Sequence, residues 1–80
     1  MSHPELTIYS MEGCAACTAS ANFLAMRGIP HKVVKIDEDI EAARFIKAEG
    51  HRSMPQIYEG TKLFVAGGYN GLIKHFNSNA

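Results

Sequence analysis

The stretch Leu6–Cys17, which reads LTIYSMEGCAAC, decides the fold because it joins a strand pattern to a pair of cysteines. The segment Leu6–Tyr9 shows an alternating pattern that contains β-branched and aromatic residues, which predicts a first strand. An Ala-rich helical pattern follows over Ala15–Arg27 and ends at a Gly and a Pro. The two cysteines, Cys14 and Cys17, are therefore expected where the first strand gives way to the first helix.

The rest of the chain continues this alternation of strands and helices. The further predicted elements are a strand His31–Ile36, a helix Ile40–Glu49 behind an acidic turn, hairpin strands Pro55–Tyr58 and Lys62–Val65, and a last helix capped by Asn70 and running to about Phe76. The order β-α-β-α-β-β-α predicts an α/β fold. In it a right-handed parallel pair is extended by the hairpin into a four-stranded mixed sheet flanked by helices.

Length and charge narrow the function classes. The 80 residues are expected to form one domain, residues 1–80, and 46% of them are hydrophobic, as in a soluble globular domain. Eight Lys and Arg balance eight Asp and Glu, so neither a nucleic acid nor a membrane is expected as a partner. Met1–Glu5 lacks the charged-then-apolar pattern of a signal peptide. We expect a cytoplasmic protein that acts as a monomer.

The position of the cysteine pair indicates its chemistry. A helix N-terminus presents unpaired N–H groups and a partial positive charge, which stabilise a thiolate at Cys14. Cys17 lies one helical turn further along, close enough for the two sulfurs to bond but turned toward the body of the protein. This arrangement suits thiol–disulfide exchange, in which Cys14 attacks a substrate disulfide and Cys17 then displaces the reduced substrate.

Two other interpretations compete with redox chemistry. A CxxC pair is often half of a structural zinc site, but such a site needs four ligands. The chain has no second cysteine pair, and its histidines show no metal-ligand spacing (His3, His31, His51, His75). Two incidental buried cysteines on an Ala-rich helix are the other alternative. The placement directly after a strand in a strand-helix-strand pattern favours redox chemistry over both, and no metal is expected.

Three separated motifs together resemble a glutaredoxin of the thioredoxin superfamily, over about Leu6 to Phe76. These motifs are Ile8-Tyr9-Ser10 leading into Cys14-Ala15-Ala16-Cys17, then Arg52-Ser53-Met54-Pro55, and then Gly67-Gly68-Tyr69-Asn70-Gly71-Leu72. The resemblance implies a thioredoxin-like fold and a dithiol oxidoreductase that uses glutathione as co-substrate. Its partners would be disulfide-containing proteins and glutathione.

The same resemblance implies a substrate site beside the dithiol. Pro55 would follow a cis peptide bond and face the cysteines, so that the Met54 backbone can pair with an extended, peptide-like substrate. The double glycine would bind the γ-glutamyl end of glutathione at a helix N-terminus. The implied glutathione-binding residues are Tyr9, Arg52, Ser53, Met54, Pro55, Gly67, Gly68, Tyr69 and Asn70.

The chain also departs from the family pattern. Met11 stands where the family often has a Lys, Ala15-Ala16 replaces a Pro-Tyr pair, and Asn70 replaces an Asp that receives the glutathione amino group. Losing a Lys and an Asp removes two charges complementary to a zwitterionic tripeptide, so weaker glutathione binding is expected. Glu12, close to Cys14, opposes thiolate formation.

Two further functions stay open. One is a redoxin that donates electrons to ribonucleotide reductase and is itself reduced by thioredoxin reductase. Such redoxins carry a Trp-Ser-Gly-Phe-Arg-Pro-like segment, whereas this chain reads VAGGYN over residues 65–70 and contains no Trp. The other is an iron–sulfur carrier, in which Cys14 of two subunits and two glutathiones hold a [2Fe–2S] cluster. Brown purified protein would favour the carrier.

Overall fold

The computed structural model describes residues 5–78. Its elements are β1 (Leu6–Ser10), α1 (Ala15–Met26), β2 (His31–Lys35), α2 (Ile40–Ala48), β3 (Gln56–Glu59), β4 (Lys62–Val65) and α3 (Gly68–Ser78). The predicted order is confirmed, and the element boundaries lie within two residues of their predicted positions except at the start of α3. Within the described part of the chain, no helix is both long and apolar enough to cross a membrane.

The four strands form one mixed sheet in the order β2-β1-β3-β4. β1 pairs in parallel with β2, with Leu6 opposite His31 and Ser10 opposite Lys35. β3 runs antiparallel to both β1 and β4. The predicted parallel pair extended by a hairpin is therefore confirmed. β1 is an inner strand of the sheet, and the chain that leaves it at Ser10 leads directly to the cysteines.

One face of the sheet carries the apolar core. Its fully buried members are Leu6, Ile8, Leu24, Ile57 and Leu72, each at most 1% exposed. They come from β1 and β3 and from the two helices α1 and α3, which pack on this face. Burying a Leu or Ile side chain stabilises a fold by roughly 1.5–3 kcal/mol. The core therefore fixes α1, with its cysteines, against the sheet; we call this side the α1/α3 face.

The opposite face is covered by α2 and is built from aromatic rings. The ring of Tyr58, on β3, contacts Tyr9 of β1 at a centroid distance of 5.6 Å and Phe45 of α2 at 5.1 Å. Both contacts are edge-on, a favoured arrangement of aromatic pairs. Ile46 of α2 is also buried. We call this side the α2 face.

The helix ends follow their local sequence, with one exception. Asp39 caps α2, because its carboxylate accepts from the N–H of Ala42 at 3.1 Å. Asn70 does not cap α3, so that prediction is wrong. The helix begins at Gly68, two residues before Asn70, and the carbonyl of Gly67 accepts its first helical bond from the N–H of Gly71 at 3.2 Å. The reason is that Gly67 adopts a φ of +93°, which lets the chain turn into the helix before Asn70.

Candidate active site

Cys14 is the N-terminal cap of α1. Its backbone is extended (φ −96°, ψ 100°), and its sulfur accepts a hydrogen bond from the backbone N–H of Cys17 at 3.1 Å. Its carbonyl oxygen accepts the first helical bond, from the N–H of Thr18 at 3.2 Å. A capping position directs unpaired N–H groups and the positive end of the helix dipole toward the side chain. This environment favours negative charge on the Cys14 sulfur.

The two cysteines form a disulfide, with their Cα atoms 5.2 Å apart. Cys17 is only 3% exposed, whereas Cys14 is half-buried. A disulfide or thiol partner in solution can therefore reach Cys14 but not Cys17. The predicted division between an accessible first cysteine and an inward-turned second cysteine agrees with this burial.

The segment before β3 brings backbone groups to the disulfide. The Met54–Pro55 bond is cis, as predicted, and the Met54 carbonyl oxygen lies 3.8 Å from the Cys14 sulfur. The side chain of Gln56 donates to the carbonyl of Ser53 at 2.8 Å and is only 8% exposed. Within residues 5–78 the N–H of Met54 makes no backbone hydrogen bond. That N–H is therefore open to an extended ligand.

A groove of about 450 Å³ runs from this segment to the start of α3. It is lined by Ala16, Ser53, Met54, Pro55, Gln56, Gly67, Gly68, Tyr69 and Asn70. Seven of the nine predicted glutathione-binding residues are thus brought together beside the dithiol. The sequence interpretation missed Ala16 and Gln56. A polar residue directly after Pro55 and before the apolar pair Ile57-Tyr58 was the available signal for Gln56.

The far end of the groove is the N-terminus of α3. Gly68 opens the helix at a φ of +60°, where an added Cβ would lie 3.1 Å from the Pro55 carbonyl oxygen. Glycine is therefore required there both by the turn and by close packing. Within residues 5–78 the backbone N–H groups of Gly68, Tyr69 and Asn70 have no acceptor. They present hydrogen-bond donors to a carboxylate, while the described residues that line the groove contribute no charged side chain.

Tyr9 and Arg52 lie apart from the groove. Tyr9 packs against Phe45 and Tyr58 on the α2 face, each at a centroid distance of 5.6 Å. Burial raises the pKa of Tyr9, and the negative charge of Asp39 raises it further. Arg52 is exposed and does not line the groove. Neither residue touches the groove directly, and their contacts with glutathione stay predictions.

Another groove, of about 530 Å³, lies on the other side of the disulfide and is lined in part by Glu12, Lys35 and Val33. The carboxylate of Glu12 pairs with the ammonium of Lys35 at 3.0 Å, and the hydrogen bond and charge of Glu12 raise the pKa of Lys35. Lys35 thus partly compensates the carboxylate expected to oppose a Cys14 thiolate.

The described residues contain no cluster of three or more side chains suited to hold a metal ion.

Comparisons with known proteins identify the family of this chain. The sequence model of the glutaredoxin family matches residues 6–64. The glutaredoxin-like protein NrdH of Escherichia coli (strain K12) is 31% identical over 55 residues, which cover 69% of this chain and 68% of NrdH.

Solved structures extend the comparison. The NrdH-redoxin from Escherichia coli matches with a TM-score of 0.64 and 30% identity, covering 68% of this chain and 71% of that chain. The holo form of glutaredoxin C1 from Populus tremula x tremuloides has a TM-score of 0.74 and 22% identity, covering 92% of this chain and 75% of that chain. The second likeness shows the fold alone.

The family match includes both cysteines and most of the chain. The thioredoxin-like fold and the Cys14–Cys17 pair agree with this match. The chain therefore belongs to the glutaredoxin family and is a thiol–disulfide oxidoreductase with a Cys14–Cys17 dithiol.

Proposed function

We propose that the protein reduces protein disulfides and glutathione mixed disulfides and is itself re-reduced by glutathione. One observation carries this proposal. The groove beside Cys14 ends at three backbone N–H groups of α3 that have no acceptor within residues 5–78. A carboxylate fits such a helix N-terminus, and a tripeptide with its thiol at Cys14 would extend along the Met54 backbone to reach it.

The chemistry follows from the environments of the two sulfurs. The Cys14 thiolate attacks one sulfur of the substrate disulfide, forming a mixed disulfide and releasing the other substrate sulfur as a thiolate. The Cys17 thiol, once deprotonated, then attacks the Cys14 sulfur, which releases the reduced substrate and leaves the Cys14–Cys17 disulfide. Two glutathione molecules reverse this sequence and become oxidised glutathione. The substrate gains two electrons and the two glutathiones lose two.

The charges of glutathione find few partners in this groove. Its γ-glutamyl carboxylate is assigned to the N–H groups of Gly68 and Tyr69, and its ammonium to the side-chain oxygen of Asn70. Arg52, which precedes the groove residue Ser53 in the sequence, is the candidate cation for the remaining carboxylate. Because Asn70 accepts without charge assistance, we expect glutathione affinity below that of a groove carrying an Asp at this position.

A second candidate is a redoxin that serves ribonucleotide reductase and is reduced by thioredoxin reductase. The uncharged groove and the 31% identity to NrdH favour it. The Escherichia coli NrdH-redoxin is described as glutaredoxin-like with a thioredoxin-like activity profile. Against it, residues 65–70 lack the Trp-containing segment of such redoxins and carry the double glycine instead.

A coupled assay separates the two candidates. The oxidised protein is supplied with NADPH and either glutathione plus glutathione reductase or thioredoxin reductase, and reduction of a glutathionylated peptide is followed by NADPH consumption. Faster turnover with glutathione supports the proposal. Efficient reduction by thioredoxin reductase alone would overturn it in favour of the ribonucleotide reductase donor. The Cys14→Ser variant is the control for turnover that bypasses the dithiol.

A further inference from the structure

Three polar side chains form a hydrogen-bonded chain on the α2 face, away from the cysteines. The hydroxyl of Tyr58 donates to the carboxylate of Glu49 at 2.8 Å. The Nε2 atom of His51 lies 2.7 Å from the same hydroxyl. Tyr58 has one O–H and donates it to Glu49, so the bond from His51 requires its Nε2–H as the donor. The chain therefore runs from His51 through Tyr58 to Glu49.

Burial keeps the hydroxyl of Tyr58, the middle member of this hydrogen-bonded chain, protonated. Tyr58 is fully buried, whereas Glu49 is exposed and His51 is half-buried. Burial raises the pKa of Tyr58 to about 12, and the hydrogen bond and charge of Glu49 add to the shift. The hydroxyl is therefore protonated throughout the physiological range and acts as a fixed donor to Glu49.

The hydrogen-bonded chain connects the two ends of the segment that carries Met54. His51 precedes this segment, and its backbone N–H also donates to the carbonyl of Ile46, in the last turn of α2, at 3.2 Å. Tyr58 follows the segment on β3, in register with Thr7 of the inner strand β1. The side-chain bond between His51 and Tyr58 thus ties the segment's entrance to the sheet. The residues between them present Met54 to the Cys14 sulfur.

We propose that His51 and Tyr58 are positioning residues for substrate binding at the Met54 backbone. This inference rests on the proposed pairing of Met54 with a peptide-like substrate. Without the bond, the segment stays attached at Pro55 and through Gln56, but its entrance shifts relative to Cys14. Substrates that use the Met54 backbone then bind less tightly, while the intrinsic reactivity of the dithiol does not change.

Tyr58→Phe tests this, because it removes only the hydroxyl and leaves the buried ring in place. Of its two former partners, Glu49 is exposed and His51 is half-buried, so neither side chain is enclosed in the core. Two substrates are compared on the reduced protein. One is a glutathionylated peptide, and the other is the small aromatic disulfide dithiobis(nitrobenzoate), called dithionitrobenzoate below, which has no peptide backbone to pair with Met54. We expect the KM for the peptide to rise roughly fivefold, with kcat and the rate with dithionitrobenzoate unchanged.

A matched pair of variants at position 51 gives an independent readout. His51→Gln keeps a side-chain N–H able to donate to Tyr58, whereas His51→Leu does not. We expect His51→Gln to keep the KM for the peptide close to the wild-type value, and His51→Leu to raise it as Tyr58→Phe does. The inference would be overturned if His51→Gln and His51→Leu gave the same KM for the peptide. It would also be overturned if Tyr58→Phe lost equal activity with both disulfides, because the hydrogen-bonded chain would then have a purely structural role.

The same data separate this inference from the proposed function. If the peptide does not saturate the wild-type protein, no peptide binding precedes exchange, so the proposed pairing at Met54 fails and the positioning role fails with it. If the peptide does saturate the protein and its KM is unchanged in both Tyr58→Phe and His51→Leu, only the positioning role fails.

Discussion

The two faces of the sheet hold the two halves of the active site by different physical means. On the α1/α3 face, close-packed aliphatic side chains fix the helix that carries Cys14 and Cys17. On the α2 face, aromatic rings and a chain of hydrogen bonds flank the segment that carries Met54. Dispersion and hydrophobic burial are non-directional and place a whole helix, whereas hydrogen bonds have direction and place individual backbone groups.

This difference predicts which observable each face controls. Damage to the aliphatic face should appear as lost stability, because core packing contributes most of the folding free energy. Damage to the polar chain of the α2 face should appear in substrate binding, because each hydrogen bond contributes little net stability. The dithiol itself lies at the end of the sheet, where the two faces meet.

The largest expected effect concerns the dithiol. Cys14→Ser should abolish reduction of every disulfide, because the accessible nucleophile is lost. Cys17→Ser should retain reduction of glutathione mixed disulfides, which needs only attack by Cys14 and release by a second glutathione. Turnover of a glutathionylated peptide and of a protein disulfide measures both. If Cys17→Ser were as inactive as Cys14→Ser with the peptide, the assigned roles of the two sulfurs would be wrong.

Next in size is the stability difference between the faces. Leu24→Ala on the α1/α3 face should lower the free energy of unfolding by about 3 kcal/mol, because Leu24 is fully buried in the aliphatic core. Met26→Ala in the same helix is the control, since Met26 is 88% exposed and should change stability by less than about 0.5 kcal/mol. Tyr58→Phe should cost about 1 kcal/mol.

Urea unfolding of the three variants measures this contrast. A loss in Tyr58→Phe as large as that in Leu24→Ala would show that the α2 face also determines stability. The proposed division of labour between the faces would then fail.

The third expected effect is on the acidity of Cys14, measured on Cys17→Ser protein. The N-cap position and the N–H of Cys17 should lower the pKa of the Cys14 thiol, giving roughly tenfold more thiolate at neutral pH than a free thiol. Alkylation rate against pH is the measurement. Glu12→Gln should lower the midpoint further, and Lys35→Gln should raise it by exposing Cys14 to an uncompensated carboxylate. A midpoint at or above that of a free thiol would remove the proposed activation.

Much of this comparison was predictable from the sequence. The strand pattern up to Tyr9 and the helix pattern after Cys14 predicted β1 and α1, two of the elements that build the α1/α3 face, because apolar periodicity directly reflects burial. The cis bond before Pro55 followed from the family resemblance. The hydrogen-bonded chain was not predictable, since His51 and Tyr58 form no local motif and meet only because α2 and β3 pack together.

Asn70 shows another limit of sequence-based prediction. Its residue type favours a helix cap, but backbone geometry at the preceding glycines decided where α3 begins. Ser20 is similar: it is a polar residue in the buried stripe of α1, tolerated because its hydroxyl donates to the Ala16 carbonyl at 2.8 Å. In both cases the deciding contact lies in the backbone, which residue type alone does not reveal.

A smaller effect is expected in the uncharged groove where the two faces meet. Asn70→Asp should strengthen glutathione binding by about 1 kcal/mol, because the ammonium then meets a charged acceptor. Arg52→Ala should weaken binding comparably. Asn77→Asp, a matched charge change at the exposed far end of α3, is the control. Activity against glutathione concentration, with a small glutathionylated peptide, measures all three. If Asn70→Asp and Asn77→Asp behave alike, the ammonium does not bind at position 70.

The last effect lies outside the physiological range and tests the buried hydroxyl of the α2 face directly. Burial raises the pKa of Tyr58 to about 12 from an ordinary value of 10.0. Because the folded state binds this proton more tightly than the unfolded state, the stabilisation is complete below pH 10 and is lost as the pH rises toward 12. The urea midpoint should therefore fall over this interval in the wild type, and less steeply in Tyr58→Phe. Phenolate absorbance should lose its highest-pH transition in the same variant. A high-pH transition unchanged in Tyr58→Phe would mean that the hydroxyl of Tyr58 is not buried and hydrogen-bonded as the structure indicates. The hydrogen-bonded link from His51 through Tyr58 to Glu49 would then also be wrong.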